Sequence, residues 1–439
     1  MLNAKRNKSW FGGLVIIVCC LTVFGERRAD AAWQPLPKMV APDGEGADQF
    51  GSSVAVDGNY AIVGAPFDDG DVIMDTGSAY IFKFYGTNWA MVAKLIGAQT
   101  SHHRFGTSVS ISGYYSLVGA PGSDSAYIFR RTVADYWVSK ITFTETGSFG
   151  NSVSISGDYA IIGAVNDDEQ GENAGAAYIY ESNDITWFQK AKLMASDGRM
   201  GDYFGCSVSI CGNYALVGAD GDDTETGSAY VFRRAFKIIP PDTIIWYWTE
   251  QAKLVAPDRT AQDWFGSSVS TDGTYAVIGA PSDNEKGIDS GSVYVFKRDG
   301  LLWQYQTKLT ASDGEPNDVF GCAVSVSGDN ICIGARYGNS RIKDSGTAYV
   351  FKRDGSNWVE QPKLLQSEGG AGNFFGNSVS IDGFNIMVGA PRKGEWAGPA
   401  TGAAFPFGRL CPTADLSGDC FVDFTDFAMF VDQWLEGEE

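Results

Sequence analysis

Seven Phe-Gly pairs in this chain are each followed 14 residues later by a Gly-Ala pair. The pairs begin at Phe50, Phe105, Phe149, Phe204, Phe265, Phe320 and Phe375. Their partners are Gly64, Gly119, Gly163, Gly218, Gly279, Gly334 and Gly389. A phase kept through seven copies means one supersecondary unit used seven times, so the chain is a repeat architecture before it is anything else. Successive Phe residues are separated by 55, 44, 55, 61, 55 and 55 positions. Length varies only outside the Phe-Gly to Gly-Ala stretch, as expected when loops change on a fixed scaffold.

Each copy reads as four strands. In the first copy these are Ser52–Val56, Tyr60–Gly64, Ser78–Phe82 and a fourth beginning at Trp89. Asp57-Gly58 separates the first two, and Gly accepts the positive φ that a two-residue hairpin turn requires. The inner strands are apolar on both faces, so each sheet has to be covered on both sides by its neighbours. The fourth strand follows copies one to six, at Trp89, Trp137, Trp187, Trp248, Trp303 and Trp358, but is missing after copy seven. A spare unit, Trp33 to Met39, precedes copy one. Pairing this unit with the sheet of copy seven predicts an all-β, seven-bladed β-propeller over residues 33–407, closed by an N-terminal strand and monomeric.

These motifs resemble the FG-GAP repeat family, whose propeller is shared with integrin α-subunits. Phe50-Gly51 with Gly64-Ala65-Pro66 carries the resemblance, as do Phe105 with Pro121, Phe265 with Pro281 and Phe375 with Pro391. Three copies depart at the last position, with Val165, Asp220 and Arg336. The resemblance implies an extracellular binding or scaffold role. The integrin-like calcium loop between the first two strands is replaced here by a two-residue turn. Two residues cannot supply the six to eight oxygen ligands calcium takes, so no cofactor is expected in the propeller.

The chain carries 33 basic and 53 acidic residues, a formal charge of −20, which argues against a nucleic-acid partner. In a propeller, loops joining strands two to three and four to one share one face. The acids gather there: Asp68, Asp69, Asp71 and Asp75 in copy one, Asp167, Asp168, Glu169 and Glu172 in copy three, and Asp220, Asp222, Asp223 and Glu225 in copy four. Copies six and seven place Arg341, Lys343, Arg392 and Lys393 in the same loops. Solvated loops that keep the protein soluble are one reading. A docking face for a cationic partner, a sugar or an ion, with Asp68, Asp69, Asp222 and Asp223 as contacts, is the other. Asp48, Asp202, Asp263 and Asp318 each stand two residues before Phe and read as loop caps. The recurrent Trp, Tyr and Phe read as packing between blades. Copy four alone has a long hairpin between strands three and four, containing Ile244, Ile245 and Trp246. Its apolar residues either form a contact site or fold back on the adjacent blade.

Residues 1–32 read as a signal peptide. Lys5, Arg6 and Lys8 precede an uncharged stretch from Phe11 to Phe24, and Ala29-Asp30-Ala31 is a small-x-small cleavage site. The stretch is shorter than the about 20 residues a bilayer span needs. The mature chain is therefore expected to be secreted, periplasmic or cell-surface, with no membrane span. At the other end, residues 408–439 are strongly acidic. Asp415, Ser417, Asp419, Phe421 (through its carbonyl), Asp423 and Asp426 stand at loop positions 1, 3, 5, 7, 9 and 12. That is EF-hand spacing and predicts a Ca²⁺ site. Phe427, Phe430, Val431, Trp434 and Leu435 then repeat at helical spacing. Cys411 and Cys420 flank the loop and are the candidate disulfide. The segment is similar to one repeat of a dockerin, which implies docking onto a cohesin-like protein. Cys420 replaces the turn Gly, and one repeat is present where the family usually has two.

Two functions follow. The first is a secreted, non-catalytic binding or scaffold propeller, attached to a protein or cell-surface glycan through a calcium-dependent tail. The alternative is a secreted polysaccharide-degrading hydrolase or lyase, or its accessory subunit. No His-based constellation or nucleophile motif marks a catalytic residue, and the two histidines, His102 and His103, read as a polar loop.

Overall fold

The computed structural model describes residues 33–409, apart from 70–72, 240–242, 340–341, 343–344, 367–369, 371 and 393–400. The expected signal peptide lies outside the described residues. So do Cys411, Cys420 and the calcium-loop residues Asp415, Ser417, Asp419, Phe421, Asp423 and Asp426. Residues 35–407 form one compact unit, and the described residues 33–34 and 408–409 belong to another. In the latter, the Arg409 guanidinium lies 4.7 Å from the centre of the Trp33 ring.

The strands form seven four-stranded sheets, one per copy, each antiparallel and ordered one-two-three-four. In the first blade they are Ser53–Asp57, Tyr60–Ala65, Ser78–Phe84 and Trp89–Leu95. Strand one alternates buried and half-buried residues, and strand two is buried throughout. The alternation follows from Ser-Val-Ala-Val, and the buried run from Tyr-Ala-Ile-Val-Gly-Ala, which has no polar face to offer water. The seventh sheet takes its order from Trp33–Pro35, Ala403–Arg409, Asn385–Ala390 and Ser378–Asp382. The Leu36 N–H donates to the Pro406 carbonyl at 2.9 Å, and Met39 and Ala404 exchange bonds of 2.8 and 3.0 Å. Met39 is buried in a cluster with Phe50, Val54 and Met387, which joins copies one and seven.

Both halves of the repeated motif act at the seams between blades. All seven motif Phe side chains are fully buried, each with an edge-on aromatic neighbour from strand three of its own blade at 5.3–5.5 Å. The following Gly has φ between +89° and +98° in every copy, a region closed to side chains. Its N–H donates to the carbonyl of the Gly-Ala glycine in the same blade, as from Gly51 to Gly64 at 2.9 Å. Its own carbonyl meets the preceding blade so closely that the Gly of Gly-Ala has no room for a Cβ. An atom there would stand 1.9–2.1 Å from that oxygen at all seven seams, from Gly64 against Gly106 to Gly389 against Gly51. The last of these contacts brings copy seven back to copy one.

Serine hydroxyls stitch the inner strands. Ser380 accepts from the Val56 N–H, Ser154 from Ile210, Ser209 from Thr271, Ser270 from Val326 and Ser325 from Ile381, all near 3.0 Å. Blade one has Ala55 at this position, and its bond to the next blade is at the strand end, where the Asp57 carboxylate takes the Gly113 N–H at 2.5 Å, as Asp382 takes the Gly58 N–H at 2.7 Å.

Replacing Gly279 with Ala is expected to cost about 3 kcal/mol, the upper end for overpacking, because the Gly321 carbonyl cannot retreat within a closed ring. Gly300, at φ +60°, has open space around it, so Gly300→Ala meets only the positive-φ penalty and should cost about 1 kcal/mol. Denaturant midpoints of the two variants check the difference.

Candidate functional site

The acidic loop face is built from strand three and strand four. Tyr80 and Lys94 stand directly opposite each other in the first blade, and the same pairing joins Tyr178 to Lys192, Tyr230 to Lys253 and Tyr294 to Lys308. Each Lys ammonium lies over its Tyr ring at 5.2–5.4 Å. From there it reaches the loop carboxylates. Lys94 lies 2.6 Å from Asp43 and 2.8 Å from Asp68, while the Tyr80 hydroxyl is 2.9 Å from both. Lys253 does the same with Asp197 and Asp222, at 2.8 and 2.5 Å. Lys308 holds Asp258, Asp283 and Glu285. Burial would lower the affinity of Lys192 and Lys308 for their protons, but the carboxylates around them raise it further.

This geometry sorts the four acids proposed as partner contacts. Asp68 and Asp222 are buried, at 5 % and 3 % exposure, and occupied by Lys and Tyr of their own blade. They bind the blade together and offer no carboxylate to a partner. Asp69 and Asp223 lie on the surface. Asp69 caps the Asp75 N–H at 2.8 Å, and Asp223 sits 3.3 Å from Arg259.

The acids two residues before Phe are buried caps. Asp48 accepts from the Glu45 N–H at 2.5 Å, Asp202 from Arg199 at 2.6 Å, Asp263 from Thr260 at 2.6 Å and Asp318 from Glu315 at 2.8 Å. Burial pushes the Asp48 carboxyl up to about 6 and the other three upward.

The long hairpin of copy four is a free-standing arm. Strand three runs Ser228–Ile239 and strand four Thr243–Leu254, and the register pairs Phe236 with Trp246, Lys237 with Ile245 and Ile238 with Ile244. Pairs alternate between the two faces. Apolar residues stand on both, with Ile238 62 %, Ile244 55 % and Trp246 50 % exposed on one face and Ile239 41 % and Ile245 38 % exposed on the other. The arm does not fold back on an adjacent blade. Its internal order comes from Phe236 against Trp246 at 5.2 Å and the Arg234 guanidinium over Trp246 at 4.3 Å.

The polar-loop reading of the histidines holds for His102, which is exposed, and fails for His103. His103 is 1 % exposed, with its ring 5.5 Å from that of Tyr127 and its Nδ1 3.0 Å from the Ser123 hydroxyl. Burial pushes its pKa down, so it is a neutral core residue. Cys206, Cys211, Cys322 and Cys332 are free thiols, raised by burial. Among the described residues, no three His, Cys, Asp or Glu side chains converge as a metal site, and no helix is long and apolar enough to cross a membrane.

Two cavities of about 220 Å³ accompany these features. One is axial and is lined by the strand-one starts of all seven blades, including Ser53, Ser108, Ser152, Ser207, Ser268, Cys322 and Ser378. The other is lined by Tyr203, Asp220, Gly221, Glu225 and Trp264. Tyr203 and Trp264 were hidden in the sequence because they adjoin the motif Phe. Aligning the copies on the residue before Phe-Gly (Gln49, Arg104, Ser148, Tyr203, Trp264, Val319, Phe374) would have separated them from the packing aromatics.

The FG-GAP repeat profile matches residues 33–82, 144–180, 187–232, 248–296, 303–351 and 358–407. These stretches make up more than half of the chain, and it belongs to the FG-GAP repeat family. Among solved structures, Sqt1 of Saccharomyces cerevisiae is similar at 10 % identity and a TM-score of 0.43, over 82 % of this chain and 83 % of that one.

Asp48→Asn keeps an oxygen for the Glu45 N–H and removes the titration. The folded carboxyl's raised pKa means the native state holds an extra proton between about pH 4 and 6, so this group's contribution falls as pH rises through that window. Wild type should lose about 2 kcal/mol relative to Asp48→Asn from pH 4 to 6, levelling off by about pH 7. Urea midpoints across that range check the sign.

Proposed function

We propose that the ring is a secreted, non-catalytic binding or scaffold propeller, and that the arm of copy four is a principal contact surface. The observation that carries this reading is the arm itself, with large apolar side chains exposed on both faces of a three–four hairpin longer than that of any other described blade. Contiguous apolar surface of this kind marks interaction sites on soluble proteins. FG-GAP propellers have no reaction attached to the fold, which agrees with a binding role.

In this reading residues 33–39 are the clasp of the ring, supported by the Leu36 and Met39 hydrogen bonds to Pro406 and Ala404. The acidic C-terminal segment attaches the ring to a cohesin-like protein or another partner in a calcium-dependent way, on the strength of its ligand spacing alone. The partner engaged by the arm is a protein or a cell-surface glycan.

Changing Ile244, Ile245 and Trp246 together to Ser should abolish partner capture from the native envelope or medium while leaving the melting temperature unchanged. Retained capture would remove the arm from the binding surface. For the tail, calorimetric calcium titration of the full chain should show one site that disappears in Asp415→Ala and in Asp419→Ala. Equal heats from all three proteins would rule the loop out.

A further inference from the structure

At the seam of blades four and five, the loop face departs from the repeat in three ways at once. The position after Gly-Ala is Pro in four copies, but in copy four it is the carboxylate Asp220. The residues before Phe-Gly are Tyr203 in blade four and Trp264 in blade five, and both rings stay open to solvent, at 39 % and 44 % exposure. The turn between strands two and three contains Asp223, Thr224 and Glu225, all in the left-handed region. Tyr203, Asp220, Glu225 and Trp264, with Gly221, line the second cavity, which is open to solvent.

The walls are fixed to one another by main-chain bonds. The Trp264 N–H donates to the Glu225 carbonyl at 3.2 Å, the Glu225 N–H to the Gly221 carbonyl at 3.0 Å, and the Gly221 N–H to the Asp202 carbonyl at 3.2 Å. Gly221 gives the Tyr203 ring room, since a Cβ there would lie 2.8 Å from Tyr203 Cδ2. The site is therefore formed without a ligand, which lowers the ordering cost of binding one.

The charges around the cavity are unequal. The nearby cations are already committed, Lys253 to Asp197 and Asp222, and Arg259 to Asp223. Asp220 is in contact with the Cys206 thiol, and burial together with the Glu225 charge pushes its pKa up. Two carboxylates thus face one cavity with no cation among its described lining residues. A neutral ligand would leave that repulsion in place, and an anion would add to it. A metal ion would want more oxygen ligands than this cavity supplies. An organic cation suits both the carboxylates and the two aromatic rings, whose faces attract positive charge.

We propose that this cavity binds a primary alkylammonium group, as carried by a lysine side chain of a protein partner or by a free polyamine. Asp220 and Glu225 accept its N–H bonds, and Trp264 and Tyr203 flank its methylene stem. The proposal rests on the binding reading of the ring and names a ligand for it, at a site separate from the arm.

The test uses the full chain and follows tryptophan fluorescence and heat on titration. The probes are Nα-acetyl-lysine amide, its Nε-acetylated neutral counterpart, and putrescine. The variants take residues from other copies at the same repeat positions, so they should fold: Asp220→Pro, Trp264→Gln and Tyr203→Ser. The expected result is saturable binding of both ammonium probes, at least tenfold weaker binding of the acetylated probe, and at least tenfold loss in each variant at unchanged melting temperature. The tighter of the lysine amide and putrescine identifies the source. Equal binding of the neutral probe, or variants that bind as well as wild type, would overturn the proposal. If no ammonium probe binds while the arm still captures its partner, the ammonium site falls and the binding role stands. If both fail, both fall.

Discussion

Everything in this ring depends on one non-bonded contact, the approach of a carbonyl oxygen to a glycine Cα across each seam. It sets the distance between neighbouring sheets at a value no side chain permits. Because the ring is closed, that distance has to be met seven times with nothing left over. Four-stranded sheets apolar on both faces are then forced to be one another's cover. The motif Phe fills the space beside each contact, and the positive φ of its glycine turns the carbonyl toward the seam. The two halves of the sequence motif are one device, split between the two sides of a joint.

Once the seams are fixed, the loops are free, and variation collects where it costs least. Blade two is the shortest, and there the Asp124 carboxylate receives the Phe149 N–H that backbone carbonyls receive elsewhere. Blade four has moved furthest in the other direction. It carries the extended arm, a carboxylate in place of Pro and a left-handed turn. These departures are combined in one blade, and that combination gives blade four its functional weight.

The repeat, the strands, the hairpin turns and the capping Asp residues were legible in the sequence, because each depends on neighbours within a few positions. The acidic loops were not. Asp68 and Asp222 are neutralised by Lys94 and Lys253, more than 20 residues downstream. Only the register of strands three and four, which sets Tyr80 opposite Lys94, reveals that the ammonium points at the loop. His103 was misjudged for a related reason. The short loop Pro121–Ser123 of blade two brings the Ser123 hydroxyl to its Nδ1 and leaves Tyr127 to cover it. The serine stitching was equally invisible, since an alternating Ser-Val-Ser strand does not say which neighbour its hydroxyls will meet.

The lysine pins also change what the protein presents to its surroundings. A chain of charge −20 would be expected to gather a diffuse cloud of counterions over its acidic face. Much of that face already carries its counterions as side chains, held against tyrosine rings and partly out of water. Bound charges of this kind respond little to ionic strength, because screening acts chiefly on groups that water can surround. The ring has thus internalised part of its own electrolyte, and its loops should keep their shape from brackish water to brine.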